Sequence, residues 1–176
     1  NIVSDRGQYR SRYLVDASGR SALMGKKDRS IQRIENLGKF AVYTHYDNIQ
    51  PGDEADELFK TGSIYVPVVD IGWIWIIPMS GRRLSVGLVV QKERPKDCGV
   101  EALLHRYLSA SPILNCLLDG AEQCAPIRIE ADFSYTNQNR YGMRYACCGD
   151  AAGFLDPVFS SGVLFALKSG VKHHNS

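Results

Sequence analysis

Residues 64–90 hold three apolar runs divided by two short turn signals, and few folds accommodate that pattern. The runs cover 64–68, 72–78 and 84–90, with Asp70-Ile71-Gly72 and Ser80-Gly81 between them. Asp, Ser and Gly favour tight reversals, so the three runs read as an antiparallel meander. Residues 40–46 add a strand ahead of it, joined to it through an acidic loop at 51–57. After the meander, Val100, Leu103, Leu104, Tyr107 and Leu108 recur at helical spacing, which predicts an amphipathic helix. Ser111 and Pro112 suit the N-cap and first position of a second, shorter helix that Gly120 ends. Ile127, Ile129, Ala131 and Phe133 alternate with polar residues, as in a half-buried strand.

The flanks read differently. Residues 13–15 are a short buried strand that runs into Asp16-Ala17-Ser18-Gly19, with a tight turn at Gly19. Residues 25–39 are polar and basic and read as a loop. Residues 144–148 form a strand that ends in Gly149-Asp150, and a helix begins at 163–168. The expected fold class is α/β (α+β), with a mainly antiparallel sheet and helices set between parts of another layer. With 176 residues and 44% hydrophobic composition, the chain can bury a sizeable core. A net charge of +2 and the absence of a basic stripe argue against nucleic acid as a partner. No run approaches the ~18 apolar residues of a membrane span. Cys98, Cys116, Cys124, Cys147 and Cys148 lack metal-ligand spacing, so no metal is expected, nor is one placed on His173 and His174. Reduced cysteines and the lack of a signal peptide suggest a cytoplasmic setting. The adjacent Cys147 and Cys148 are either a redox pair or small residues of a buried strand.

Three constellations carry chemistry. The first runs Gly149-Asp150-Ala151-Ala152-Gly153-Phe154-Leu155-Asp156-Pro157-Val158-Phe159-Ser160-Ser161-Gly162. This is a strand end, a loop and a helix start. An acidic residue at a strand end can accept hydrogen bonds from ligand hydroxyls, glycines let backbone approach a ligand, and a helix N-terminus favours an anion. An ordinary strand–loop–helix link would look similar. The second is Asp16-Ala17-Ser18-Gly19, weak by itself. The third is Trp73-Ile74-Trp75-Ile76-Ile77-Pro78, whose period of two sets both indoles on one face and both Ile residues on the other. Taken alone, two rings on one face of a sheet would usually be core packing.

Together these residues resemble the flavin-dependent halogenases, within the FAD-dependent hydroxylase-like superfamily that also includes geranylgeranyl-reductase-like enzymes. Gly-Asp-Ala-Ala followed by Asp-Pro resembles the third FAD motif, Asp-Ala-Ser-Gly resembles the exit from the nucleotide domain, and Trp-x-Trp-x-Ile-Pro resembles the halogenase signature. The resemblance covers about residues 13–170. It implies a Rossmann-like FAD domain at 1–27, its return at 141–176, and a substrate-side sheet with helices at 28–140. It assigns FAD contacts to Asp16, Gly149, Asp150, Asp156, Pro157 and Gly162, with Asp150 on the ribityl chain. It puts Trp73, Trp75 and Pro78 near the flavin, and a chloride or bromide at the backbone of Ser161 and Gly162. It further implies FADH2 supplied by a flavin reductase, O2, and an electron-rich aromatic substrate, phenol-like, pyrrole-like or bound to a carrier protein.

The sequence contains no Gly-x-Gly-x-x-Gly phosphate loop opening a βαβ unit, and no residue matches the family's active-site lysine; Lys26, Lys27 and Lys39 lie in the wrong stretch. The expectation is therefore a piece of a longer enzyme, inactive alone and weak in FAD binding. A flavin monooxygenase or geranylgeranyl-reductase-like enzyme is the alternative reading, and a fragment without catalysis the second.

Overall fold

The meander is present and extends on both sides into a wider sheet. The computed structural model describes residues 2–35, 37–91, 98–158 and 160–174, so Phe159 of the first constellation lies outside the described residues. The chain forms two compact units. One comprises Asn1–Leu37 with Phe133–Ser176, and the other is Gly38–Asp132. The breaks therefore fall at 37/38 and 132/133, where the sequence suggested 27/28 and 140/141.

In the unit 38–132, the described strands run across the sheet as Arg128–Ala131, Lys39–Asp47, Arg83–Gln91, Gly72–Met79 and Val68–Val69, all antiparallel, with Glu122–Gln123 also pairing onto Lys39–Asp47. Alternation sorts the faces. Val42, Ile74, Ile76, Leu84, Val86 and Leu88 point inward and are fully buried. Helices Asp53–Thr61, Val100–Ala110 and Pro112–Leu117 cover them with Leu58, Leu103, Leu104, Leu114 and Leu117. Each such aliphatic side chain contributes about 1.5–3 kcal/mol on burial, so this core dominates the unit's stability.

Three expectations for this unit change. Residues 51–57 are not a loop. Asp53–Thr61 is a helix, with Asp53, Glu54 and Asp56 in its first turn, where the helix dipole favours acids, and Gly62 at its end in the left-handed region. The acidity that suggested a loop is an N-terminal helix signature. The run 64–68 yields a strand only at Val68–Val69, plus a bridge from Tyr65 to Ile76. Pro67 has no N–H to donate and serves only as acceptor for Ile74. Finally, Arg128–Ala131 is an exposed edge strand with Ile129 about half exposed, and Phe133 belongs to the other unit.

In the unit formed by 1–37 and 133–176, Leu14–Asp16 pairs in parallel with Tyr145–Cys147, and Tyr141–Gly142 adds an antiparallel edge. A second small sheet joins Ile31–Arg33, Tyr135–Asn137 and Gly153–Phe154. Residues 25–39, expected as a loop, thus include the end of helix Leu23–Lys27 and the strand Ile31–Arg33. Neither is legible locally, because that strand's partner lies about a hundred residues away and the helix takes its cap from Asp16 and Ser18. The last helix, Gly162–His174, leaves Val163, Leu164, Phe165, Leu167 and Val171 exposed. The observed class, mixed α/β with antiparallel sheets, is the expected one. Among the described residues no helix is long and apolar enough to cross a membrane.

Candidate cofactor site

Two parallel strands ending side by side leave a crevice beyond their carboxyl ends, the usual ligand position in open α/β sheets. Here those ends are Asp16 and Cys147. Beyond Cys147 the chain turns through a single 3-10 turn, Gly149–Ala151. Beyond Asp16 it turns through Gly19–Ser21 into helix Leu23–Lys27.

Asp16 is 5% exposed and both of its carboxylate oxygens are engaged. Oδ1 accepts from the Ser18 N–H at 3.0 Å and Oδ2 from the Met24 N–H at 2.7 Å. Ser18 Oγ accepts from the Leu23 N–H. Burial alone would raise the Asp16 pKa. The Ser18 hydroxyl and the Met24 and Ser18 N–H groups outweigh it and hold the carboxyl below its usual range. Asp16 therefore fixes the turn and caps the helix from a distance.

The Gly149–Ala151 turn is clamped from several sides. Gly149 has φ +57°, and a Cβ there would sit 3.1 Å from Ala166 Cβ of the last helix. Its N–H donates to Ser169 Oγ at 3.0 Å. The Tyr135 hydroxyl donates to the Asp150 carbonyl at 2.8 Å. Burial, and then the Asp150 charge, push the Tyr135 phenol above its usual range, so it stays a donor at neutral pH. Fully buried Asn137 completes the clamp: its Oδ1 accepts from Ser30 Oγ at 2.7 Å and from the Asn139 N–H, and its Nδ2 donates to the Ala151 carbonyl at 3.2 Å. No described group hydrogen-bonds the Asp150 carboxylate, which faces a cleft of about 470 Å³.

Asp156 holds the far side of the loop. Its Oδ1 accepts from the Val158 N–H at 2.9 Å, and the Pro157 carbonyl accepts from the Ser160 N–H at 2.8 Å. Ser160 sits at φ +49°, a strained conformation for a non-glycine residue. The Ser161 carbonyl then accepts from the Phe165 N–H, so Ser161 is the N-cap of the last helix. The helix's first N–H groups have no intrahelical acceptor and are available to an anion. A Cβ on Gly162 would meet Phe154 only at ordinary contact distance, 3.7 Å, and lie 4.0 Å from Asp150 Oδ1.

The structure thus brings Gly149, Asp150, Asp156, Ser161 and Gly162 to one cleft, and a second hollow of about 370 Å³ shares Gly149, Asp150, Phe154 and Gly162. Pro157 shapes the loop, and Asp16 works through the turn bearing Ala17 and Gly19, which line the second hollow. Tyr135, Asn137 and Ser169 escaped the sequence reading. Their one signal was the burial period of Tyr135 and Asn137 on a three-residue strand. The residues present suit a polyhydroxylated, anionic cofactor: the Asp150 carboxylate, which no described group hydrogen-bonds, and the helix start at Gly162 line one space, which a side chain at 162 would fill. Cys147 is buried, and burial, then the Asp16 charge, raise its thiol pKa, which favours the small-core-residue reading over a reactive pair.

The sequence profile of tryptophan halogenases matches residues 4–173. The chain belongs to the tryptophan halogenase family. It is 32% identical over 170 residues to the 1H-pyrrole-2-carbonyl-[peptidyl-carrier protein] chlorinase of Pseudomonas fluorescens, covering 92% of this chain and 37% of that protein. It is 34% identical over 175 residues to the tryptophan 2-halogenase of Chondromyces crocatus, covering 96% and 33%. Among solved structures, the flavin-dependent brominase Bmp2 superposes with a TM-score of 0.79 at 30% identity over 93% of this chain and 42% of that one. The flavin-dependent halogenase CmlS does so at 0.77 and 32% identity, over 92% and 29%. The chain therefore spans 32–41% of the length of the first curated relatives it matches.

In this member of the tryptophan halogenase family, the Trp-x-Trp strand lies in the unit 38–132. Ile74 and Ile76 are buried in the core, while Trp73 and Trp75 stand half-buried on the opposite face with ring centroids 6.1 Å apart. Pro78 sits near the strand's end, opposite Leu84.

Proposed function

We propose that this chain is part of an FADH2-dependent halogenase that chlorinates or brominates an electron-rich aromatic substrate with O2 and halide. The observation that carries the reading is the juxtaposition of the Asp150 carboxylate with the helix start at Ser161-Gly162 in one cleft, in a chain of this family. Reduced FAD, when bound, would supply the electrons that activate O2. Asp150 would accept hydrogen bonds from the ribityl hydroxyls. Gly149 and Gly162 would let backbone approach the cofactor, and Asp156 and Pro157 would border its ring system. The N–H groups at Ser161 and Gly162 would attract the halide, and the helix dipole would favour negative charge there. Trp73, Trp75 and Pro78 would form the flavin-proximal wall.

A flavin reductase would supply FADH2 in the cytoplasm. The relatives that act on carrier-bound pyrroles favour a phenol-like, pyrrole-like or carrier-bound substrate. FAD titration of this chain, followed by flavin fluorescence, tests the cofactor assignment. Binding lost in Asp150→Ala and kept in Asp53→Ala supports it. Binding that ignores Asp150 refutes it. Product formation that depends on chloride or bromide, in a preparation supplied with a reductase, separates halogenation from hydroxylation.

A further inference from the structure

The indole of Trp75 lies across the neighbouring strand where no side chain stands. Trp75 faces Gly87 in the pairing of Gly72–Met79 with Arg83–Gln91, and Gly87 faces Tyr43 in the next pairing. A Cβ built on Gly87 would fall 2.3–2.6 Å from Cζ2, Cη2 and Cε2 of Trp75. The benzene half of the indole thus occupies the volume that any side chain at 87 would take. Gly87 is not among the glycines with positive φ, so its backbone does not require glycine. What requires it is the ring, in keeping with strand glycines marking a close approach.

Two contacts hold the ring in that slot. Its Nε1–H donates to Ser85 Oγ at 3.1 Å, two residues along the same face. Its far edge meets Tyr43, with centroids 5.6 Å apart and planes at 44°. Trp73 flanks it on its own strand at 53°. We propose that Gly87 and Ser85 are positioning residues of the Trp-x-Trp strand: Gly87 provides the slot and Ser85 the latch that hold the Trp75 indole across the sheet face. The bearing of this on halogenation rests on the function proposed above, whereas the ring's orientation does not.

The test uses the whole chain, whose two tryptophans make near-ultraviolet circular dichroism and red-edge-excited emission reporters of this pair. Gly87→Ala is expected to lose the tryptophan dichroic bands and to shift emission to the red with an unchanged far-ultraviolet spectrum. Ser85→Ala should give the same shift in smaller measure. In a Trp75→Phe background, adding Gly87→Ala should cost less stability than in the parent, because the smaller ring frees the slot. A folded Gly87→Ala chain with the parent's near-ultraviolet spectrum overturns the proposal, as does an equal cost in both backgrounds. Should Gly87→Ala fail to fold, Ser85→Ala and the comparison within the Trp75→Phe background decide. Added FAD separates the two readings: at FAD concentrations where flavin fluorescence shows binding, loss of the dichroic bands in Gly87→Ala without quenching of tryptophan emission in the parent supports the slot and refutes the flavin-proximal wall.

Discussion

Replacing Asn137 by Ala removes a side chain that ties three segments of the candidate site together. Its carboxamide holds Ser30 Oγ and the Asn139 N–H on one side and the Ala151 carbonyl on the other, all at 2.7–3.2 Å, with a weaker contact to Cys147 Sγ at 3.5 Å. The residue is 0% exposed, so water cannot replace these partners without a rearrangement. A typical hydrogen bond contributes about 1 kcal/mol net, and a buried partner left unpaired costs about 1–3 kcal/mol. Three such bonds, two of them to buried Ser30 and Ala151 and one to the part-buried Asn139 N–H, give about 3 kcal/mol or more for the loss. Urea unfolding monitored by circular dichroism measures it as a lower midpoint at unchanged slope. Amide exchange reports the location, with faster exchange at the 149–152 turn than in the sheet core of 38–132. Asn137→Asp keeps the acceptor but loses the donor to Ala151 and buries a charge. A carboxyl there would have a raised pKa, so this variant's stability should be greatest in acid and fall as pH rises above about 4. An Asn137→Ala midpoint within error of the parent would refute the clamp.

Other variants probe separate parts of the site. Gly162→Val should leave the unfolding midpoint nearly unchanged, because its Cβ meets only ordinary contacts, yet weaken FAD binding by about tenfold or more, or ~1.4 kcal/mol, by filling the cleft; thermal unfolding reads the first arm and calorimetric titration the second. Gly149→Ala should cost about 1–2 kcal/mol for the left-handed backbone alone, and more through contact with Ala166, as seen in thermal melts. Asp16→Ala should destabilise by about 1 kcal/mol through loss of its capping bonds. Because the folded Asp16 pKa is lowered, its contribution is present above the unfolded pKa of about 3.9 and disappears as pH falls through the lower folded value; the Asp16→Ala difference should therefore vanish in acid unfolding titrations.

The legible parts of this chain were those whose structure is written locally. The strand around Trp73 shows period-two burial, the strand around Leu88 is an apolar run buried from Val86 to Val90, turn residues set both off, and the helix at 100–110 shows its apolar spacing, so all three lie within about two residues of where the sequence places them. The illegible parts depend on distant partners. Ile31–Arg33 becomes a strand only through Tyr135–Asn137, and helix Leu23–Lys27 depends on a carboxylate seven residues before it. The acidic segment at 51–57 reads as a loop because charge signals exposure, whether in a loop or in the first turn of a helix. Within the site, Gly149, Asp150 and Gly162 carry a recognisable order of residue types. Tyr135, Asn137 and Ser169 do not, since hydrogen bonding to a backbone turn leaves no spacing rule.

The unit 38–132 leaves and rejoins the chain at adjacent points of its own sheet. Phe40 pairs with Ala131, and the Asp132 N–H donates to the Lys39 carbonyl at 3.2 Å. Its apolar cluster, from Phe40 to Ile127, is drawn wholly from this stretch. Such a segment is expected to behave as a cassette: residues 38–132 should fold when expressed alone, as circular dichroism of the isolated stretch would show, and a short linker should bridge the remaining chain, because no long span has to be closed when they are cut out. Transplanting the cassette between family members would then exchange the Trp-x-Trp sheet face while leaving the Gly149–Gly162 segment untouched, making this family a candidate for recombination at two fixed joints.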